Sequence, residues 1–233
     1  MSSPSDNDKT SRPTPAARPL RHGDHFPLLY KLTRSAIYGM YSLNGGVSVQ
    51  GGENIPQSGA AIIAPNHVSH TDPPLIAITN RRPVTIMAKE ELFKVPVMGP
   101  YITHLGMFSV KRGAADRAAL RMALDRLAAG RLLVIFPEGT RGDGISLQEP
   151  ERGLGLIAMK SGAPVIPAYV HGTAKMLPRG AGKIQRAHVG VIYGKPILPQ
   201  DFSGRTAGDD LTTAVMAAIA ALRDTRSILG SGR

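Results

Sequence analysis

The 233-residue chain contains no cysteine. A disulfide framework, a thiolate metal site and a cysteine nucleophile are therefore excluded, and the absence fits a reducing compartment. Tryptophan is missing too, and aromatic residues make up only 5% of the chain. Few rings remain to stack on unpaired bases, which argues against a single-stranded nucleic-acid platform. Acidic residues are scarce: 17 Asp and Glu stand against 28 Lys and Arg, for a formal charge of +11 and a pI of about 10.3. Between Gly153 and Gln200 there is no carboxylate, while Lys160, Lys175, Arg179, Lys183, Arg186 and Lys195 all fall there. This balance favours anionic partners: a membrane surface, phosphorylated metabolites, coenzyme A, an acidic carrier protein or nucleic acid. Charge alone does not separate a landing surface for phosphates from a solvated basic face.

What is present is a chain that is 42% hydrophobic and punctuated by 26 Gly and 19 Pro, enough for one sizeable core in a single domain. Residues 1–21 are rich in Ser, Pro, Asp and Arg and read as a disordered tail, without the apolar stretch of a secretory signal. From Phe26 to Tyr41 apolar residues recur at helical spacing (Leu29, Tyr30, Thr33, Ile37 and Met40), with Lys31, Arg34 and Ser35 on the other side. Charges in mid-segment rule out a membrane span. Residues 22–44 are expected to form an amphipathic helix on an anionic membrane surface, because Leu28, Leu32 and Tyr38 widen its apolar surface beyond one core contact. Packing on the domain is the alternative. Strands are predicted at 47–50, 60–64, 84–87, 106–110, 132–136, 165–170 and 189–193. Helices are predicted at 73–78, 114–129, 154–161 and 210–223, with a helical turn at 90–93. The alternation predicts an α/β domain over 45–225, a mixed central sheet flanked by helices, with a flexible tail at 226–233.

The densest chemistry lies in Asn66-His67-Val68-Ser69-His70-Thr71-Asp72, between a buried strand and the Pro73-Pro74 opening of a helix. Strand-to-helix junctions are where α/β folds place their sites. On one continuous helix His67 and Asp72 would lie about 140° apart, so contact between them requires a turn. A carboxylate there would bond one imidazole nitrogen, set the tautomer and leave the other nitrogen as a base. The plainer reading is an N-cap from Ser69, Thr71 or Asp72 beside an ordinary loop histidine. A second block, Phe136-Pro137-Glu138-Gly139-Thr140-Arg141, ends a continuous apolar run. Its guanidinium suits a phosphate, and its carboxylate suits a hydroxyl or that guanidinium. A surface ion pair is the plain alternative.

Together these blocks resemble the glycerolipid acyltransferase family, and most of all its 1-acylglycerol-3-phosphate acyltransferases. Gly106–Arg112 resembles the family's second block, ending in an Arg, and Val165–Val170 its fourth, around Pro167. Lys89–Phe93 with Pro96 and Gly99 also fits, so the likeness runs from about Gly51 to Pro199. One departure is Glu151, where the family often has a basic residue two before a Gly; Arg152 is expected to take over that role.

The resemblance implies a glycerol-3-phosphate acyltransferase-like fold and transfer of a fatty acyl group from acyl-CoA or acyl carrier protein to a lysophosphatidate hydroxyl. His67 is implied as general base and Asp72 as its orienting partner, supported by Asn66 and Ser69. Arg112, Glu138, Gly139, Thr140 and Arg141 are implied to hold the acceptor. No cofactor, metal or acyl-enzyme is implied, and the place of work is the cytoplasmic face of the cell membrane, peripheral or monotopic. A serine nucleophile at Ser69 lacks a Gly-x-Ser-x-Gly elbow. A metal hydrolase built on His67, His70 and Asp72 lacks a partner motif among His104, His171 and His188. A basic nucleic-acid-binding module lacks any recognisable motif. Within the family reading, glycerol 3-phosphate or another lyso-lipid is the alternative acceptor.

Overall fold

Helix α1 (Leu28–Leu43) leads into strands β1 (Val47–Gln50) and β2 (Ala61–Pro65), and then helix α2 (Asp72–Thr79). Strands β3 (Val84–Lys89) and β4 (Phe108–Val110) precede helix α3 (Arg117–Ala128) and strand β5 (Leu132–Val134). Helix α4 (Gly153–Ser161), strand β6 (Val165–His171), the one-turn helix α5 (Thr173–Met176), strand β7 (Val189–Tyr193) and helix α6 (Ala207–Gly230) follow. This computed structural model describes residues 28–89, 94, 96, 107–110, 117–144 and 146–230. The expected tail at 1–21, the turn at 90–93, His104 and Arg112 lie outside those residues.

The strands form one seven-stranded sheet in the order β1-β7-β6-β2-β5-β3-β4. From β6 to β4 every neighbour is parallel, whereas β7 runs antiparallel to β6 and carries β1 with it. The sheet is therefore mixed, with one reversed edge. Its parallel block brings the loops after β2, β5 and β6 to one edge, which is where the site is built.

Both faces are covered, so the strands read as unbroken apolar runs. Strand alternation sorts their side chains. Ile63, Ile86, Val134, Ile166 and Val191 face a core completed by Tyr41, Leu75, Ile76 and Ile78 from α1 and α2. Ile62, Ala64, Leu133 and Val165 face the other, closed by α3, α4 and α6 through Leu127, Leu154, Ile157, Leu211 and Val215. In the second core α4 and α6 cross closely. A Cβ on Gly155 would run into the Gly208 carbonyl oxygen and lie 2.7 Å from Thr212 Oγ1. Gly155→Ala is expected to destabilise the fold by about 1–3 kcal/mol, as overpacking does. Chemical denaturation of the two proteins checks it, and an unchanged midpoint would show that the crossing has slack.

Helix α1 packs one face on the domain and leaves other apolar side chains exposed. Ile37, Met40 and Tyr41 pack on the first core, and the Tyr41 hydroxyl donates to the Thr71 carbonyl at 2.7 Å. Arg34, grouped by spacing with the polar side, instead turns inward and donates to the Ile78 carbonyl at 2.9 Å. Its long stem crosses the apolar surface and its head meets an orphan carbonyl at the end of α2. Leu28, Leu32, Tyr38 and Leu43 remain exposed, Leu43 by 84% and Leu28 by 71%. No helix among the described residues is long and apolar enough to cross a membrane.

Candidate active site

Strand β2 ends at Pro65, paired with Ala168 of β6. The next residue keeps the two chains together: Asn66 Nδ2 donates to the Val170 carbonyl at 3.1 Å, and Val170 N–H donates to Asn66 Oδ1 at 2.6 Å. The carboxamide thus replaces one rung of the ladder, and the loop leaves the sheet from a rigid start. Six residues on, the chain has turned and begun α2 with Asp72 as its first residue.

Asp72 is fully buried. Its Oδ2 lies 2.8 Å from His67 Nδ1 and accepts the backbone N–H groups of Val68 at 2.7 Å and Ser69 at 2.8 Å. Three donors converge on one oxygen and fix the imidazole ring; with the proton on Nδ1, facing the carboxylate, Nε2 is left as the acceptor nitrogen. The Asp72 side chain reaches back into the loop, and Thr71, at the N-cap position, makes no side-chain cap bond. The helix start therefore serves the histidine pair. On its other side the His67 ring lies against Phe136, with centroids 4.2 Å apart.

The loop after β5 is tied to the same place. Both Glu138 oxygens accept backbone N–H groups, Oε1 from His67 at 2.9 Å and Oε2 from Gln148 at 2.9 Å. Gly142 N–H donates to the His67 carbonyl at 2.8 Å. Glu138 is 3% exposed, and burial pushes its carboxyl above the usual carboxylate range against the pull of those two N–H groups. Gly139 adopts φ +58°, and a Cβ there would meet the Glu151 carboxylate. The residue that departs from the family pattern thus packs on the loop, anchored by its own N–H to the Pro137 carbonyl at 2.8 Å. Thr140 is exposed and Arg141 half-buried. Arg141 has no side-chain hydrogen bond or ion pair among the described residues, so its guanidinium is available to a ligand.

Ser69 is 1% exposed. Its hydroxyl donates to the Leu177 carbonyl at 3.1 Å and accepts from Thr71 Oγ1 at 3.0 Å. A hydroxyl so placed locks the loop onto the segment after α5 and is not presented to a substrate. His70 is exposed, and among the described residues no three His, Cys, Asp or Glu side chains gather as metal ligands would. Gln148 is a residue the sequence did not single out, and Phe136, which opens the second block, was given no role there. Gln148 contributes only its backbone N–H, to which no side-chain pattern points.

A profile of the acyltransferase family matches residues 46–171. Over 178 residues, 75% of this chain and 85% of the relative, the chain is 29% identical to the 1-acyl-sn-glycerol-3-phosphate acyltransferase of Bacillus subtilis. It is 32% identical over 129 residues to that of Borreliella burgdorferi, covering 54% of this chain and 52% of the relative. The chain spans about half the length of several of the curated relatives it matches. The crystal structure of the 1-acyl-sn-glycerophosphate acyltransferase PlsC from Thermotoga maritima superposes with a TM-score of 0.68 at 31% identity, covering 83% of this chain and 81% of that one. The matched span contains β1 to β6 and every described residue of the His67 and Glu138 loops, and on it the chain belongs to the acyltransferase family.

Proposed function

We propose that this acyltransferase moves a fatty acyl group from the thioester of acyl-CoA or acyl carrier protein to the free hydroxyl of 1-acyl-glycerol-3-phosphate, giving phosphatidate for phospholipid synthesis. The observation that carries the reading is the His67–Asp72 pair, closed at 2.8 Å through Nδ1 with Nε2 unengaged among the described residues. His67 Nε2 takes the hydroxyl proton as the oxygen attacks the thioester carbon. The tetrahedral intermediate collapses with release of the thiolate, which receives the proton back from the imidazolium. Asp72 orients the ring and stabilises its charge throughout. Asn66 and Ser69 support the loop by the bonds described above. The acceptor named in the Bacillus and Thermotoga relatives suits Arg141, a free cation one residue from the Gly142–His67 backbone bond.

Glu138 is better placed to hold His67 than to touch the acceptor, since both its oxygens are bonded to backbone N–H groups. Gly139 and Thr140 shape the loop that presents Arg141, and Arg112 is the second cation proposed for the phosphate. The exposed stripe Leu28, Leu32 and Leu43 on α1 supports a peripheral position on an anionic membrane surface, on its cytoplasmic face, where a lipid acceptor is within reach.

The test is thiol release from palmitoyl-CoA in the presence of lysophosphatidate, with phosphatidate identified by mass spectrometry. Release without phosphatidate, or only with another lyso-lipid, would reassign the acceptor. In the same assay Arg141→Ala is expected to raise the lysophosphatidate KM about tenfold or more, as loss of a charge-assisted contact does, with a smaller change in kcat. A normal KM with collapsed kcat would place Arg141 on the transition state instead.

A further inference from the structure

Behind the His67 loop lies a cavity of about 810 Å³, with Asn66, Val68 and Glu138 in its wall and neither His67 nor Arg141 among its lining residues. The far part of the loop after β5, the end of β6, the segment after it and the end of α6 form the rest. Lys175, Arg186, Arg223 and Arg226 line it, and among the described residues the only carboxylate in its lining is Glu138, both of whose oxygens are already bonded to the backbone. Arg223 is paired with the exposed Asp224 through Nε at 3.0 Å. Even so the lining is strongly cationic.

His171 supplies a second, independent sign of a ligand. It lines the cavity, is 92% buried (8% exposed), and its Nδ1 has no hydrogen-bond partner. Its Nε2 edge is turned toward Gly190 across the β6–β7 ladder. Burial first, then the charges of Arg226 and His188, hold its pKa down at about 4, so at neutral pH the ring is an uncharged imidazole. A buried nitrogen without a partner is costly, and a group entering the cavity would satisfy it.

We propose that this cavity binds the phosphate-bearing nucleotide end of the coenzyme A donor, its adenosine 3′,5′-bisphosphate portion. The inference rests on the acyltransferase reading only for the choice of donor. Geometry separates the two substrates. In a glycerol phosphate the phosphate is a few bonds from the reacting hydroxyl, so its cation must sit beside His67, as Arg141 does. In coenzyme A the phosphates are removed from the thioester by the whole pantetheine arm, so their cations belong at a distance, joined to the site by a continuous wall. Asn66 and Val68, the sequence neighbours of His67, lie in the cavity's lining. Ligand cavities of about 300–1,000 Å³ are the usual size for such molecules, and a concave site with a buried imidazole at its wall suits a nucleotide better than the outer face of a carrier protein.

The experiment titrates the whole chain with adenosine 3′,5′-bisphosphate by calorimetry, for wild type and for the double variant Lys175→Ala/Arg186→Ala. Both residues are exposed, so the fold should tolerate the change. Wild type is expected to bind, and the double variant to bind at least about tenfold more weakly, as loss of charge-assisted contacts implies. In turnover the palmitoyl-CoA KM should rise by a similar factor, with the lysophosphatidate KM and the rate with palmitoyl-pantetheine unchanged. Absence of bisphosphate binding to wild type would overturn the proposal. So would a double variant that binds the bisphosphate normally but loses use of acyl carrier protein, or loses binding to phosphatidylglycerol vesicles. If no acyl transfer is found with any acceptor, the functional reading fails, and the bisphosphate titration still decides the cavity.

Discussion

Replacing His67 by alanine should slow acyl transfer by about 10²- to 10⁴-fold, the range expected for loss of a general base. His67 joins no core cluster, and its side chain is 13% exposed. Truncation therefore removes an imidazole from a loop that keeps its other ties: the N–H to Glu138 at 2.9 Å and the carbonyl to Gly142 at 2.8 Å. Asp72 would retain its two backbone donors, Val68 and Ser69. The variant should keep its circular dichroism and melt close to wild type, so lost activity reads as lost chemistry. Thiol release persisting at the wild-type rate would remove His67 from the mechanism.

For Asp72→Asn a loss of about 10³- to 10⁴-fold in kcat is expected, as when an orienting carboxylate is replaced and the imidazole takes the wrong tautomer. Oδ2 accepts from three N–H donors, and Oδ1 is buried without a partner. If the amide oxygen takes the Oδ2 position, an NH₂ group is buried where no acceptor is found among the described residues. If the amide is turned the other way, NH₂ faces those donors. Either arrangement costs about 1–3 kcal/mol of stability, which denaturant titration would register. The sharper readout is the double variant His67→Ala/Asp72→Asn. If Asp72 acts through His67, the double variant should be no slower than His67→Ala alone, because residues working as a unit are not additive. A multiplied loss would mean that Asp72 has a separate role.

Much of this architecture could be read from the chain. The runs at 61–65, 132–134, 165–171 and 189–193 are strands because unbroken apolar stretches bounded by Gly, Pro and polar residues have few other uses in a 233-residue chain. Contact between His67 and Asp72 was allowed by the sequence, since Pro73-Pro74 favours a helix start there and four intervening residues permit the turn, but an N-cap beside an ordinary loop histidine fitted the same residues. Local rules settled the strands, and local rules act within a few residues.

Other features depend on residues far apart in sequence. The reversed β1–β7 edge depends on which strands pair, not on the composition of either. Glu138 looked like a ligand for the substrate, but its burial and two backbone partners belong to His67 and Gln148, and the former lies 71 residues away. Ser69 was expected to support the pair, but the partner of its hydroxyl, the Leu177 carbonyl, lies 108 residues on. The sequence also leaves open which backbone donors would serve an oxyanion. In the fold, the N–H groups of Val68 and Ser69 are taken by Asp72, and those of Gly139 and Thr140 by carbonyls of their own loop. Hydrogen-bonding capacity is finite, so the partner that reaches a polar group in the folded chain sets its role, and periodicity and spacing carry no information about that partner.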